Sequence, residues 1–365
     1  MGISLAYALV ATFSGSADDC LTDNSIGVSQ SGVTSLPAGF TLPAGTPQAV
    51  ISAISYAVAQ LGKPCVWGGT GPAGYDCSGL VMMAYLAAGI SLPRTTFQQV
   101  DLPRCPAVVT AAGHGTRFRP FTSVVPKEML PVGGTPALGH VIAECTAAGA
   151  DRVYVVARPG DPVVSAYVQL LQDDGCPAVC VQENLSCGYG NAAPLLTLRP
   201  VLEAVATFMV AFGDDVLLGG PAPGADLAAM RQAAESGASA VIAGQLISPA
   251  EAGSFGVIDV TGPGGTRVRG IRQRPSPATV TEPLAVVSRL VLRPAVLDLL
   301  TPRAEARGEV DLGTAVGEHA READVRVHRI TADWVTVGDP RRYYDALTRY
   351  WNSPKSASGP KETAC

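Results

Sequence analysis

The feature that most constrains this fold is an alternation of strand-like and helix-like segments along the middle of the chain. Short apolar runs rich in β-branched residues are typical of buried strands, and longer stretches of helix-forming residues separate them. The predicted strands are 108–112, 152–157, 178–182, 208–213 and 238–244, and the predicted helices are 136–149, 163–173, 192–206 and 225–237. This order predicts an α/β fold with a doubly wound, mostly parallel sheet, whose ligand site lies at the carboxyl ends of the strands.

Glycine and polar residues follow three of these strands, at the edge where such a site is expected. The first strand leads into the loop 112–117, Gln182 ends the third, and Asp214 and Asp215 follow the fourth. Glycines let backbone N–H groups approach phosphate oxygens closely, and the guanidinium of Arg117 adds a charged fork. A G-x-G loop alone is a weak signal. The combination of positions indicates a phosphate-binding edge.

The longer pattern around this loop carries a family resemblance. Gly115-Thr116-Arg117, Pro120 and the run "PKEMLPV" at 126–132 resemble the sugar-phosphate nucleotidyltransferases. The resemblance spans about 104–352 and is strongest to bacterial UTP–glucose-1-phosphate uridylyltransferases. It implies a Rossmann-like fold, and transfer of a nucleotidyl group from an NTP, UTP or dTTP, to a sugar 1-phosphate with release of pyrophosphate. Mg²⁺ is the implied cofactor, and the NTP and the sugar 1-phosphate are the implied partners.

The same resemblance implies roles for individual residues. The catalytic side chains are Arg117 and Lys127 on the triphosphate and Asp214 on magnesium. Charge neutralisation and positioning supply most of the catalysis in such a transfer. The implied nucleotide-binding residues are Ala112, Gly113, His114, Gly115, Thr116, Gln182 and Gly190.

Two motifs depart from the family pattern. The sugar-side Glu-Lys-Pro reads Gln273-Arg274-Pro275, so the implied sugar-binding residues are Gln273 and Arg274. The late Asp-x-Gly, which supplies the second metal carboxylate, reads Thr336-Val337-Gly338. Magnesium is usually held by one or two carboxylates together with substrate phosphates, so turnover is expected to be weakened. A nucleotide-binding protein without turnover is therefore an alternative. The carboxylates that could substitute are Asp215, Asp333 and Asp339.

A second resemblance precedes the first. Residues 60–99, with "VWGG", "DCSGL" and "LPRT", resemble the first half of the NlpC-type, papain-like peptidases of cell-wall peptides. Cys77 stands at the nucleophile position, at the start of a predicted helix, where unpaired N–H groups stabilise a thiolate. The pattern stops after Gln99, and the first histidine of the chain is His114. An incomplete papain-like α+β segment over 46–100 with a vestigial nucleophile is expected. A peptidase that takes its histidine from a second chain, or a passenger fused at 100–104, remains an alternative.

The chain ends are predicted from composition. Residues 1–45 combine an apolar start with a Ser-, Gly- and Pro-rich linker, and 353–365 read as a disordered tail. The apolar start has the length of a signal-peptide core, but no Lys or Arg precedes it and it is too short to span a bilayer. No membrane partner is expected.

Charge and cysteine content bear on partners and compartment. With 26 basic and 31 acidic side chains, the chain offers no basic surface for nucleic acid. Its 9 cysteines have irregular spacing, which favours free thiols in a reducing compartment. Because nucleotide-sugar synthesis needs cytoplasmic nucleotide, a cytoplasmic location is expected, with export as the alternative. The sequence is compatible with a homo-oligomer.

Overall fold

The structure is a computed structural model that describes residues 48–95, 104–301 and 309–352. The chain divides into two compact units, Met1–Leu102 and Pro103–Cys365. The predicted linker and tail fall outside the described residues. Within the three described ranges, no helix is long and apolar enough to cross a membrane.

The first unit contains a pair of helices, α1 (Gln48–Val58) and α2 (Cys77–Ala87). Asp76 caps α2, because its carboxylate accepts the N–H of Gly79 at 2.6 Å. The helix ends before Gly89, whose φ of +80° suits glycine. The predicted helix after Cys77 is thus confirmed.

The second unit is built on a nine-stranded sheet and two short two-stranded ribbons. The strands are β1 (Ala107–Ala111), β2 (Pro131–Val132), β3 (Thr135–Pro136), β4 (Val153–Ala157), β5 (Ala178–Gln182), β6 (Phe208–Phe212), β7 (Asp215–Leu218), β8 (Ala240–Leu246), β9 (Gly256–Thr261), β10 (Arg267–Gln273), β11 (Leu284–Leu292), β12 (Val325–Arg329) and β13 (Asp333–Thr336). The order in the large sheet is β5-β4-β1-β6-β11-β8-β12-β10-β9, and the ribbons pair β2 with β3 and β7 with β13. The helices are α3 (Ala137–Ala147), α4 (Pro162–Asp173), α5 (Ala193–Thr197), α6 (Arg199–Leu202), α7 (Ala225–Glu235), α8 (Leu312–His319) and α9 (Pro340–Asn352).

The sheet has a parallel half and a mainly antiparallel half. Strands β5, β4, β1 and β6 run parallel, as the alternation of strands and helices predicts. Strand β11 then runs antiparallel to both β6 and β8. Strand β10 is antiparallel to β12 and β9. Strands that are not joined by a crossover helix can pair in antiparallel fashion. The alternation of helices and strands therefore does not predict the strand directions in this half of the sheet.

Both faces of the sheet are buried, which confirms the doubly wound fold. Neighbouring residues of β1 point to opposite faces, as successive side chains in a strand must. Val109 packs in one core cluster with Leu138 of α3, and Val108 packs in the other with Leu195 of α5 and Val316 of α8. All of these side chains are fully buried. This packing fixes the ends of β1 and β6, where the predicted site residues lie.

One predicted helix is wrong, and one cysteine departs from the expected free thiols. The predicted helix 192–206 is divided into α5 and α6 at Leu198, because Pro200 at the start of α6 lacks the N–H that would continue the preceding turn. The expectation of free thiols holds for Cys105 and Cys145, among others, but Cys176 is disulfide-bonded.

Candidate active site

The loop that follows β1 presents its backbone to solvent. Gly115 has a φ of +57°, and its carbonyl accepts a hydrogen bond from the hydroxyl of Thr122 at 2.6 Å. Gly113, His114 and Thr116 are exposed. A loop held from behind in this way leaves N–H groups available to an anion at the carboxyl end of the strand. The structure therefore places the predicted loop residues where the strand order requires them.

Lys127 lies directly against this loop. A Cβ atom at Gly113 would come within 2.9 Å of Lys127 Cε, so a side chain at this position would displace the lysine. The ammonium pairs with Asp214 and lies 2.9 Å from Glu128 Oε1. Burial by itself lowers the pKa of Lys127, but the two carboxylates outweigh it and raise that pKa. A lysine carries three N–H donors, and the hydrogen bond to Asp214 uses one, so donors remain for a phosphate oxygen.

Glu128 is a buried carboxylate that the sequence pattern did not single out. It is 1% exposed, and neither of its oxygens has a hydrogen-bond partner. Its contact with Lys127 is therefore ionic rather than directional. Burial, the largest effect, raises the pKa of Glu128. Glu128 adds to the negative charge around Lys127 from the side of the protein interior.

Asp214 emerges where β6 and β1 end side by side. The N–H of Gly213 donates to the carbonyl of Thr110 at 2.9 Å, and a Cβ at Gly213 would lie 2.9 Å from that same oxygen. Gly338 lies next to both Asp214 and Thr336. If it carried a Cβ atom, that atom would lie 3.2 Å from Asp214 Oδ2 and 3.1 Å from Thr336 Oγ1. The carboxylate and the hydroxyl therefore border the same small space.

This donor set can be tested against magnesium. A carboxylate and a hydroxyl are oxygen ligands of the kind that Mg²⁺ accepts, and the ion commonly takes its other ligands from water and substrate phosphates. Within the described part of the chain, no group of three or more His, Cys, Asp or Glu side chains is arranged to hold a metal. The residues therefore fit an ion that a nucleotide brings with it, rather than one held by protein ligands alone.

A buried polar network lies behind Asp214. Arg289 is completely buried, pairs with both oxygens of Glu144 at 2.9 and 2.7 Å, and donates to the backbone carbonyl of Asp215 at 2.9 Å. The hydroxyl of Ser288 donates to the carboxylate of Asp215. Burial, and then the charge of Asp214, raise the pKa of Asp215. An arginine inside the apolar strand "LAVVSRLVL" was a sequence signal for this network, because a buried charge needs a partner.

A cavity of about 730 Å³ opens next to this cluster. It brings together four residues predicted from the sequence, Arg117, Gln273, Arg274 and Thr336. Its wall also contains residues to which no role was given, namely Glu309, Asp311, Thr314 and Arg342.

Gln182 and Gly190 are not part of the cavity wall. Gln182 ends β5 in the same row as Ala157 and Ala111, two strands away from the loop. It is exposed, and its role in reading the base stays a prediction. Gly190 has a φ of +130°, and a Cβ there would come within 2.7 Å of the backbone nitrogen of Val310. A side chain at this position would collide with the backbone of Val310, so backbone packing explains why the residue is glycine.

Arg274 has an unusual backbone conformation at the cavity. Its φ is +46°, which is uncommon for any residue other than glycine, asparagine or aspartate. The N–H of Arg274 donates to the carbonyl of Phe255 at 2.9 Å, which holds the chain in this position. Backbone strain of this kind concentrates at functional sites.

In the first unit, Cys77 is exposed at the first position of α2. The preceding residue, Asp76, forms a two-point ion pair with Arg94 at 2.6 and 3.0 Å. Burial raises the pKa of Asp76, but the hydrogen bonds from Arg94 and from backbone N–H groups outweigh it and lower that pKa overall. These contacts stabilise the start of the helix. The unit contains no histidine in its sequence, so it has no general base of the usual kind.

Comparison with known proteins identifies the second unit. The profile of the nucleotidyl transferase family matches residues 106–353, about two thirds of the chain. The chain belongs to this family. The profile of the NlpC/P60 family matches residues 62–133, which supports the assignment of the N-terminal segment and runs beyond the motifs that end at Gln99.

Several relatives of the family are uridylyltransferases. The UTP–glucose-1-phosphate uridylyltransferase of Pseudomonas aeruginosa is 25% identical over 260 residues, covering 65% of this chain and 92% of its own. That of Haemophilus influenzae is 28% identical over 281 residues, covering 67% and 92%.

Solved structures share the fold. A UDP-glucose pyrophosphorylase in complex with UDP-glucose has a TM-score of 0.60 at 20% identity and covers 68% of this chain and 99% of its own. The UTP-bound enzyme from Acinetobacter baumannii has a TM-score of 0.59 at 22% identity, covering 69% and 95%.

The peptidase resemblance leads to a prediction about Cys77. We expect Cys77 to be alkylated faster than Cys105 and Cys145, which are buried, because Cys77 is exposed at a helix start. We also expect no release of peptide from muropeptides above background, because the unit has no histidine to act as base. Mass spectrometry of iodoacetamide-treated protein and a muropeptide assay measure the two outcomes. A turnover signal that disappears in Cys77→Ala would contradict the second.

Proposed function

We propose that this protein transfers a uridylyl group from UTP to a sugar 1-phosphate, with glucose 1-phosphate as the first candidate acceptor, and releases pyrophosphate. The observation that carries this proposal is the cluster of Lys127, Asp214 and the glycine loop at the ends of β1 and β6. It lies beside a cavity that contains Arg117 and Gln273. The names of the relatives, which are uridylyltransferases, support UTP as the donor, whereas one similar structure is named as a putative glucose-1-phosphate thymidylyltransferase, so dTTP is included in the test.

The reaction requires charge and position more than covalent chemistry. A phosphate oxygen of the sugar 1-phosphate attacks the α-phosphorus of UTP, one P–O bond forms, and the bond to the β-phosphate oxygen breaks as pyrophosphate leaves. Arg117 is exposed at the cavity wall and would contact the triphosphate as a planar fork. Lys127 is fixed by two carboxylates, so its positive charge would already be in place and would not have to move during the reaction.

Magnesium, when bound, would neutralise charge on the phosphates. Asp214 would hold it, with Thr336 as a weaker oxygen ligand at the opposite side of the space next to Gly338. Gln273 and Arg274 would contact the sugar and its phosphate, since both line the same cavity as Arg117.

The proposal is tested by pyrophosphate release. Purified protein is incubated with magnesium, with UTP, dTTP, ATP, CTP or GTP in turn, and with glucose 1-phosphate or another sugar 1-phosphate. We expect release with UTP that depends on the sugar phosphate. Release with dTTP alone would correct the donor. UTP binding without any turnover would favour the non-catalytic alternative, and the absence of both would overturn the proposal.

Two substitutions test the phosphate contacts. Arg117→Ala and Lys127→Ala should each reduce the rate of pyrophosphate release by more than about tenfold, equivalent to ~1.4 kcal/mol of lost transition-state stabilisation. The matched control is Arg119→Ala, which removes an exposed arginine two positions away that does not line the cavity. Wild-type rates in both variants would show that the phosphate site lies elsewhere.

A further inference from the structure

Asp311 is a carboxylate in the cavity wall whose position is fixed by several donors. Asp311 Oδ1 accepts the backbone N–H and the hydroxyl of Thr314, each at 2.7 Å, and thereby caps helix α8. Asp311 Oδ2 accepts the amide Nδ2 of Asn191 at 2.9 Å. The other end of that amide accepts the N–H of Leu312 at 2.7 Å, so the orientation of Asn191 is fixed as well. Three donors therefore fix the position of the Asp311 carboxylate, which accepts all of these hydrogen bonds.

Gln273 is the fourth donor to this carboxylate. Its Nε2 donates to Asp311 Oδ1 at 3.1 Å. An ionised carboxylate can only accept hydrogen bonds, so the amide nitrogen must face it and the amide oxygen must face another direction. Two glycines border the amide: a Cβ at Gly313 would lie 2.9 Å from Gln273 Nε2, and a Cβ at Gly256 would lie 3.3 Å from Gln273 Oε1. The carboxylate therefore sets the orientation of the Gln273 amide within the cavity.

We propose that Asp311 is a positioning residue that directs the amide oxygen of Gln273 toward the acceptor sugar, and that residue 273 must be uncharged for this reason. The acceptor class is a sugar 1-phosphate that donates a ring hydroxyl to an uncharged oxygen. This inference rests on the proposed function, because it concerns the sugar end of the same cavity.

A carboxylate at position 273 is incompatible with this arrangement. Glutamate has the size of glutamine and keeps an acceptor oxygen, so Gln273→Glu restores the glutamate of the family motif and is conservative by shape. In this protein it would put two negative charges at about hydrogen-bond distance, and like charges at that separation repel. The glutamate would turn away from Asp311 and out of the position for sugar contact.

The test measures binding of UDP-glucose and of UTP by calorimetry in the presence of magnesium. Gln273→Glu should weaken UDP-glucose binding about tenfold, the equivalent of one lost hydrogen bond with its reorganisation, and leave UTP binding unchanged. Asp311→Asn keeps a capping oxygen for α8 and removes the charge. The double variant Gln273→Glu/Asp311→Asn should therefore bind UDP-glucose more tightly than Gln273→Glu alone. In kinetics, Gln273→Glu should raise the KM for glucose 1-phosphate and leave the KM for UTP unchanged.

Two controls separate this effect from general damage. Gln169 donates to Asp173 at 2.9 Å on the surface of α4, so Gln169→Glu makes the same change of charge beside an aspartate outside the cavity. It should leave UDP-glucose binding at the wild-type value. Gln273→Met removes the sugar contact without adding charge, so Asp311→Asn should give no recovery in that background. This variant also covers the case in which Gln273→Glu does not fold.

The contrary outcomes are distinct. Unchanged UDP-glucose binding in Gln273→Glu, an equal loss for UTP, or recovery by Asp311→Asn in the Gln273→Met background each overturn the inference and leave the proposed function standing. Wild-type protein that binds neither UTP nor UDP-glucose would overturn both.

Discussion

Asp214→Ala is expected to reduce pyrophosphate release to background, a loss of more than about a hundredfold. The substitution removes the carboxylate that would hold magnesium and the principal ion-pair partner of Lys127. Lys127 would then pair with Glu128 alone, toward the protein interior. Both charged groups proposed to act on the phosphates are therefore affected by one substitution. The rate is measured with UTP and glucose 1-phosphate over a range of magnesium concentrations.

The matched control for Asp214 is Asp333→Ala. Asp333 is a carboxylate on β13 that pairs in register with Leu218, is exposed and does not line the cavity. It should leave the rate unchanged. If Asp214→Ala kept more than about a tenth of the wild-type rate, the metal would have to be held by other residues, and the assignment of Asp214 would be wrong.

Thr336→Asp is expected to lower the magnesium concentration that gives half-maximal rate about tenfold, and to raise the rate itself. A hydroxyl is a poorer magnesium ligand than a carboxylate and brings no charge to offset that of the dication. The new carboxylate would lie in the space that Thr336 and Asp214 border. The new carboxylate would also stand opposite buried Asp215 on the neighbouring strand, and the two negative charges would repel each other. The variant should therefore unfold at a lower temperature than wild type without magnesium. Added magnesium should raise its unfolding temperature by more than that of wild type.

Thr336→Asn is the control for size and polarity, and it should not lower the magnesium requirement. Were wild-type protein saturated at low magnesium and Thr336→Asp neutral or harmful, another carboxylate would hold the ion. The cavity contains two such candidates, Asp215 and Asp339. Asp333, which the sequence also offered, is not part of the cavity wall. Turnover in neither protein, with UTP still bound, would favour the non-catalytic alternative.

The parallel half of the fold was predictable because its signals are local. Each of its strands is a short apolar run. The loop 112–117 follows β1, Gln182 is the last residue of β5, and Asp214 comes two residues after β6. The antiparallel placement of β11 was not predictable, because strand direction depends on how a distant segment pairs. The break at Leu198 could have been found, since Pro200 is visible in the sequence and cannot continue a helical turn.

The contacts that complete the candidate site join residues far apart in the chain. Gln273 and Asp311 are separated by 38 positions, and Asn191 and Asp311 by 120. Motif spacing carries no information about such pairs, so the sequence showed that Gln273 departs from the family pattern but not what it contacts. Asp311 did have a local signal, an aspartate directly before a helical segment, but this signal indicates a cap and not a cavity residue.

The division of the sheet separates the residues that match the family pattern from the two that depart from it. The nucleotide loop and Asp214 belong to the parallel half, whereas Gln273 belongs to β10 in the antiparallel half, and Thr336 to β13, later in the chain. Both departures from the family pattern, at Gln273 and Thr336, come after the parallel half is complete. Substitutions in the later strands would therefore alter the proposed contacts to the acceptor and to magnesium, while the loop 112–117 and Asp214 keep their places at the ends of β1 and β6.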